Sequence, residues 1–190
     1  MLRMLATPTL TTGRLGLRPV RDDDASALYA MHSDAHVLRY WDAPPWQDVD
    51  RASAFIAASA RLAEEGSGAR LVVEDGDGFL GWCSLSRWDP VHRSAALGFC
   101  FVEASWGRGI ATEAAAALLA WGFDALPLNR VQAEADTRNI PCRRVLEKLG
   151  FVLEGTLRED CVVDGVVSDS WVFGLLRRDW EQRRTAPASP

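Results

Sequence analysis

The sequence predicts a single mixed α/β domain. Its 190 residues are enough for one domain. Short alternating or apolar runs typical of strands occur in several parts of the chain, and longer segments with helix-starting and helix-ending residues separate them. We find no internal repeat and no linker. The predicted domain covers residues 1–182, and residues 183–190 are expected to form a flexible tail.

The first third of the chain predicts one strand and two helices. "RLGLRPV", from Arg14 to Val20, alternates as a strand does, and the acidic residues 22–24 after it are typical of a helix start. The proline-bent loop "WDAPPW" comes next. It leads into a second helix, "DRASAFIAASARLAEEG", which Gly66 ends.

The middle of the chain predicts three strands and then a helix. "ARLVVED" and "GFLGWCSLSRW" lie on either side of "DGDG", which is typical of a hairpin turn. "SAALGFCFV" is a further apolar strand. The stretch "SWGRGIATEAAAALLAWGF" then supplies a loop and a helix that extends to about Asp124.

The last third predicts a strand, a short helix and closing strands. Alternation in "NRVQAEAD" places Val131, Ala133 and Ala135 on one face, and Gln132, Glu134 and Asp136 on the other. "NIPCRRVLEKLG" is a helix that Asn139 caps and Gly150 ends. "FVLEG", "CVVDGVV" and "SDSWVFGLL" are strands, with Asp164-Gly165 in or near a turn.

Composition and charge exclude several classes of protein. The apolar fraction of 48% and the charged fraction of 25% are ordinary for a globular protein, and the net charge of −5 disfavours a broad nucleic-acid-binding face. The four cysteines form no CxxC or Cys/His cluster, so neither a zinc site nor a disulfide framework is expected. No stretch approaches the roughly 20 apolar residues of a membrane span. We therefore expect a cytoplasmic protein without metal, nucleic acid or membrane partner.

The turn before the alanine-rich helix is the strongest functional signal. A helix start leaves about four backbone N–H groups unpaired, and glycines just before it allow an anion to approach them. Gly107 and Gly109 have this placement, and Arg108 offers a charge-assisted contact. The alternative is a strand-to-helix turn that simply needs glycine. Glu113 would repel a phosphate unless its side chain points aside.

Four segments together resemble a known family. "RLGLRPVRDDDASAL", "WGRGIATEA", "NRVQAEADTRNIPCRRVLEKLGFVLEG" and "VVDGVVSDSWVFGLL" resemble, in this order, the GNAT superfamily of acyl-CoA-dependent N-acyltransferases and its Rim-type ribosomal-protein N-terminal acetyltransferases. The superfamily signature falls on Trp106, Gly109 and Ala111, and Trp106 departs from its usual first residue. The resemblance implies a GNAT-like domain with a mixed central sheet of about seven strands and about four helices.

The resemblance also implies how acetyl-CoA binds. Backbone N–H groups from Gly107 to Thr112 would bind its pyrophosphate, and the strand before them would pair with the pantetheine arm as an added strand does. An N–H near Phe101 or Val102 would face the thioester oxygen. Asn139 would contact the arm, cap the next helix, or do both. The predicted coenzyme-binding residues are Phe99, Cys100, Phe101, Gly107, Arg108, Gly109, Ile110, Ala111, Thr112 and Asn139.

The implied reaction is acetyl transfer from acetyl-CoA to a primary amine, by direct attack of a protein N-terminus or a small-molecule amine. Such amines are largely protonated at neutral pH, so a carboxylate must remove a proton. Glu134, five residues before Asn139, matches the position of a glutamate base in some members. An exposed strand glutamate is the alternative interpretation, and Glu103 and Asp136 are reserves.

The sequence departs from the family at the positions of the proton donor for the leaving thiolate. Many members carry a tyrosine where this chain has Leu146, and the Rim-type group often carries a serine where it has Cys142. One hypothesis is that the Cys142 thiol donates this proton. The alternative is that Cys142 packs as a small hydrophobic residue and that solvent donates the proton. These departures also keep open a non-catalytic acyl-CoA-binding sensor or regulatory module. A homodimer is implied by resemblance alone.

The acceptor pocket is expected near the first two helices. Aromatic walls suit a peptide end or a cationic amine, and the candidate tryptophans are Trp41, Trp46, Trp82 and Trp88. We favour core packing for Trp82 because it lies in the middle of a strand. Nothing in the sequence places the three histidines together.

Overall fold

An eight-stranded mixed sheet and five helices make up the part of the chain that the structure, a computed structural model, describes: residues 6–185. The predicted mixed α/β fold is confirmed, with one strand and one helix more than expected. The strands are β1 (Leu10–Thr11), β2 (Gly16–Pro19), β3 (Ala69–Asp75), β4 (Gly78–Asp89), β5 (Ser94–Phe101), β6 (Arg130–Asp136), β7 (Val152–Val163) and β8 (Val166–Leu176). The helices are α1 (Ala25–His32), α2 (Asp50–Glu64), α3 (Ile110–Ala125), α4 (Ile140–Leu149) and α5 (Arg177–Thr185).

The sheet has one parallel junction. Its strand order is β1-β2-β3-β4-β5-β6-β8-β7, and every neighbouring pair is antiparallel except β5 with β6. That parallel ladder joins residues 94–96 to residues 130–132. Beyond it, β5 continues to Phe101 and β6 to Asp136 without further pairing to each other. The two strands therefore separate at their carboxyl ends.

Two clusters of buried residues cover the two faces of the sheet. The larger one packs α3 and α4 on one face and includes Leu118, Leu119 and Phe173. The smaller one, which we call the aromatic cluster, lies under α1 and α2 on the other face. Its buried members are Leu28, Met31, Leu38, Trp46, Ala52, Trp82 and Cys100.

The amino-terminal end differs from the single strand predicted over Arg14–Val20. The Thr12 N–H donates to the Leu15 carbonyl at 2.9 Å, and this tight turn makes β1 and β2 a short hairpin. The predicted turn at Asp164-Gly165 is present, with positive φ at both residues. The predicted hairpin between β3 and β4 is present as well.

The carboxyl end differs in two ways. β7 is one strand rather than two, and a local irregularity between Leu157 and Cys161 interrupts its pairing with β8. Helix α5 was not predicted, because its charged sequence offers a single buried anchor, Trp180, whose ring stacks on Phe123 at 5.5 Å. Residues 183–185 of the predicted tail lie in this helix, and residues 186–190 lie outside the described part.

No helix between residues 6 and 185 is long and apolar enough to cross a lipid bilayer.

Candidate active site

A cleft opens where β5 and β6 separate. The Val102 N–H donates to Leu80 of β4 at 2.9 Å, whereas the Arg93 carbonyl accepts from Asn129 on the β6 side at 2.7 Å. Backbone groups alternate between the two edges of a strand, so the N–H groups of Phe99 and Phe101 point into the cleft. The prediction that the Val102 N–H could face the thioester oxygen is therefore wrong, because this N–H already donates to Leu80 within the sheet.

The glycine turn after β5 is open. Gly107 and Gly109 have φ of 71° and 78°, in the left-handed region that favours glycine. A Cβ added at Gly107 would meet nothing within 4 Å, and one at Gly109 would meet only the Arg14 Nη2 atom, at 3.7 Å. Within residues 6–185, none of the six N–H groups from Gly107 to Thr112 donates to a protein acceptor. No side chain fills the turn.

The acidic residue in the first turn of α3 points aside. Arg14 Nε donates to the Glu113 carboxylate at 2.9 Å, and the Thr12 hydroxyl donates to its other oxygen at 2.5 Å. These hydrogen bonds, that of Thr12 first, lower the pKa of Glu113. Arg14 also donates to the Arg108 carbonyl at 3.2 Å, which pins the turn. The Glu113 carboxylate is thus bound by Arg14 and Thr12 and does not occupy the open N–H groups.

The Arg108 side chain extends from the same turn. Its guanidinium lies 3.8 Å from the Asp75 carboxylate at the end of β3, and it is half exposed. Its predicted contact with the coenzyme stays a prediction.

The parallel arrangement brings these parts to one edge of the sheet. The carboxyl ends of parallel strands meet at the same edge, so α3 begins beside the end of β5 and α4 beside the end of β6. Asn139 lies at the start of α4, where its side-chain oxygen accepts the Cys142 N–H at 3.1 Å. The predicted capping role of Asn139 is confirmed, and its coenzyme contact stays a prediction.

Four of the predicted site residues turn their side chains into the protein interior. Phe101 and Ile110 are buried in the larger cluster and Cys100 in the aromatic cluster, so only their backbones are available. Cys142 packs against the larger cluster, and burial raises the pKa of its thiol to about 12. A thiol with so high a pKa is a weak proton donor.

Glu134 differs from the two reserve carboxylates. It is exposed on the α2 face of β6, accepts a hydrogen bond from Gln132 at 2.9 Å, and has no ion pair within the described chain. Asp136 is bound by Arg138 at 2.6 Å, and that hydrogen bond lowers the pKa of Asp136. Glu103 lies 3.3 Å from His36. Of the three, Glu134 is the carboxylate that has neither an arginine nor a histidine within 4.0 Å in the described residues.

The tryptophans form packing rather than an open wall. His32 stacks on Trp46 at 4.2 Å, and its Nε2 accepts from the Trp82 indole at 2.9 Å. Burial lowers the pKa of His32 to about 4, so the ring is neutral. Trp41 joins this group edge-on to Trp82, whereas Trp88 packs against the larger cluster. Core packing of Trp82 is confirmed, and the predicted aromatic wall of Trp46 and Trp88 is not present.

Trp106 has a role that the sequence did not reveal. Its indole N–H donates to the Phe101 carbonyl at 2.9 Å, and the Arg39 guanidinium lies 4.9 Å from its ring. The loop between α1 and α2 is thereby attached to the end of β5. The only sequence signal was the departure of Trp106 from the superfamily signature.

Comparison with known proteins decides the family. Residues 14–152 match the family described as "Acetyltransferase (GNAT) domain". The chain belongs to the GNAT acetyltransferases. It is 34% identical over 174 residues to the N-acetyltransferase p20 of Bacillus licheniformis, covering 90% of this GNAT protein and 98% of p20.

Two further relatives of this GNAT protein have named substrates or ligands. The spermidine N(1)-acetyltransferase of Escherichia coli is 29% identical over 152 residues, which is 78% of each chain. The structure of Mycobacterium smegmatis RimJ in complex with a CoA-disulfide aligns with a TM-score of 0.78 and 31% identity, over 86% of this chain and 82% of RimJ.

This GNAT protein is an acetyl-CoA-dependent N-acetyltransferase. Its open turn, with six free N–H groups and no Cβ in the way, fits a pyrophosphate, and the free edge of β5 fits an extended arm. Membership of this family favours an enzyme over the alternative interpretation, a non-catalytic acyl-CoA-binding sensor or regulatory module. No group of three or more potential metal-ligating side chains occurs within residues 6–185.

Proposed function

We propose that the enzyme transfers the acetyl group to a primary amine by direct attack in the cleft between β5 and β6. One observation carries the proposal: six free N–H groups at the start of α3 adjoin the unpaired edges of two parallel strands. The N–H groups from Gly107 to Thr112 bind the pyrophosphate. The thioester then lies between the strands, where an amine can reach it from the α2 face.

The edge of β5 aligns the thioester. The N–H groups of Phe99 and Phe101 pair with the pantetheine arm, and one of them donates to the thioester oxygen, where negative charge develops during attack. The Trp106 indole occupies one lone pair of the Phe101 carbonyl and holds this end of the strand in place.

Glu134 is the proposed base. It lies on β6 at the α2 face of the cleft, and its carboxylate forms no ion pair with any residue between 6 and 185. An α-amino group has a pKa of about 8, so most of the acceptor arrives protonated at neutral pH. Glu134 removes that proton directly or through one water molecule. The attacking nitrogen is then neutral.

The leaving thiolate takes its proton from solvent. An ordinary thiol has a pKa of about 8.5, whereas burial raises that of Cys142 to about 12. Cys142 therefore holds its proton more tightly than a coenzyme thiolate would, and proton transfer from it is unfavourable. We propose a packing role for Cys142.

We also propose an N-terminal amine as the acceptor, a cytoplasmic location and a homodimeric assembly. The 31% identity to RimJ supports a RimJ/RimL-like enzyme that acts on an N-terminal amine. The four cysteines are all free thiols, which supports a cytoplasmic location. Val152, Val162 and Val166 are more than half exposed along β7 and the start of β8, an apolar edge that supports a homodimer.

Glu134→Gln tests the proposed mechanism. We expect kcat at neutral pH to fall by about 100-fold, while the acceptor KM and acetyl-CoA affinity change little, because the base acts on the proton. Release of free thiol, measured with and without added amine, reports turnover. Glu65→Gln, on the surface after α2, is the control.

A Glu134→Gln enzyme with the wild-type rate across pH would contradict the role of Glu134. Wild-type protein that binds acetyl-CoA but releases no thiol with any peptide or amine would contradict the proposed function itself.

A further inference from the structure

Arg70 is a largely buried cation without an anion. It lies on β3 beneath α2, where its Nη1 donates to the Ser59 hydroxyl at 3.0 Å. Its Nε is buried without an acceptor. Within residues 6–185, no carboxylate lies within 4.0 Å of its guanidinium. Burial is the cause that lowers the pKa of Arg70, to about 10, and no acidic neighbour raises it.

Other arginines of the sheet show what Arg70 lacks. Arg18, on β2, pairs with Asp24 at 2.8 Å and with Glu74 at 2.9 Å, and Arg130, on β6, pairs with Glu154. Arg70 instead has the faces of Phe55, at 4.1 Å, and Trp82, at 5.1 Å. Aromatic faces attract a cation, but they accept none of its five N–H bonds. The guanidinium therefore keeps unused donors.

Arg70 lies in a row that leads to the cleft. In register across the sheet it pairs with Ser84 of β4, which pairs with Gly98 of β5, and Gly98 has no partner on β6. The Trp82 ring spans part of this row, since a Cβ built at Gly98 would lie 3.9 Å from its Cζ3 atom. Two strand spacings, about 10 Å, separate Arg70 from the edge where β5 and β6 part.

We propose that Arg70 is a specificity-determining residue that binds a carboxylate of the acceptor. This rests on the proposed function, because it places the acceptor amine at the cleft near Glu134. An acceptor with an amine and a carboxylate a short chain apart satisfies both ends of the row: Glu134 takes the proton, and Arg70 holds the anion. A polyamine such as spermidine has no group for Arg70.

The carboxylate can belong to a small amino acid or to an acidic peptide side chain, and paired acceptors distinguish these sources. The small pair is 6-aminohexanoate and 6-aminohexanamide. The peptide pair is Ala-Glu-Ala-amide and Ala-Gln-Ala-amide. For the wild-type enzyme we expect kcat/KM to be about 10- to 100-fold higher for the acid of at least one pair, since a charge-assisted hydrogen bond is gained.

Arg70→Gln tests the assignment. We expect it to raise KM for the preferred acid by the same 10- to 100-fold and to leave its amide partner almost unchanged, so that the preference disappears. Arg61→Gln, on the exposed side of α2, is the matched control. Acetyl-CoA affinity shows that the variant is folded, and Arg70→Lys should restore part of the preference.

Equal kcat/KM for acid and amide in both pairs, with turnover present, would overturn the role of Arg70 and leave the proposed function standing. A preference that survives Arg70→Gln would overturn it as well. Absence of turnover with every acceptor would instead contradict the proposed function.

Discussion

The first turns of α3 and α4 lie at the same edge of the sheet, yet they begin in opposite ways. α4 has a side-chain cap, because Asn139 accepts the Cys142 N–H. Gly109, at the cap position of α3, has no side chain, and the first N–H groups of α3 have no protein acceptor within residues 6–185. Both helices follow strands of the parallel pair, so position alone does not explain the difference.

The comparison separates a structural helix start from a binding one. A helix start with glycine at the cap position forgoes only about a few tenths of a kcal/mol of stability, and its exposed N–H groups at the positive end of the helix dipole remain available for an anion. The carboxylate in the first turn of α3, that of Glu113, is bound by Arg14 and Thr12 instead. We infer that the α3 start is kept open for the coenzyme and that the α4 start serves the fold.

The largest expected effect comes from closing the open start. Gly109→Val should weaken acetyl-CoA binding by roughly 100-fold, because a branched residue at a φ of 78° is strained and its side chain covers the N–H groups. Isothermal titration measures the affinity. Gly165→Val is the matched control, since Gly165 has a φ of 79° and open space around it in the β7–β8 turn.

If both valine variants stay folded and Gly109→Val binds acetyl-CoA as the wild type does, the α3 start is not the coenzyme site.

A smaller effect is expected from releasing Glu113. Arg14→Met removes the cation that holds this carboxylate, so its charge faces the turn and acetyl-CoA affinity should fall by about three- to tenfold. Adding Glu113→Gln to Arg14→Met should restore most of the affinity, as measured by the same titration. A double variant as weak as Arg14→Met would show that Arg14 acts through the Arg108 carbonyl instead.

The smallest effect is expected at α4. Asn139→Ala should lower the free energy of unfolding by about 1 kcal/mol, because the Cys142 N–H loses its acceptor. Asn139→Asp keeps an acceptor oxygen and should keep the stability, as chemical denaturation would show. Both substitutions remove the amide N–H₂, so a severalfold loss of acetyl-CoA affinity in both variants would reveal the predicted coenzyme contact. Wild-type affinity would restrict Asn139 to capping.

Most of the fold could be predicted because most of its elements are determined by residues that are close together in the sequence. Alternation in β6, the two hairpin turns and the glycine that ends α4 are each decided within a few residues. Helix α5 was not predicted, because one tryptophan is its only buried residue. The β1–β2 hairpin was not predicted, because Leu10–Thr11 is too short to form a recognisable pattern.

The site was predictable where it consists of backbone. Glycine spacing predicted the turn of Gly107 and Gly109, and the family resemblance implied that the strand before this turn pairs with the pantetheine arm. Partners that are distant in the sequence were not predictable: Arg14 reaches a residue 99 positions away, and His32 accepts from Trp82 50 positions away. No local pattern records such pairs, since the fold alone brings them together.

The short parallel ladder between β5 and β6 has a consequence for how the chain folds. Residues 10–101 and residues 130–176 each pair antiparallel within themselves, apart from three register pairs that connect the two sets. Contacts between neighbours in sequence form quickly, and distant ones cost more chain entropy. We expect each set of strands to form first and the three parallel pairs between β5 and β6 to form last.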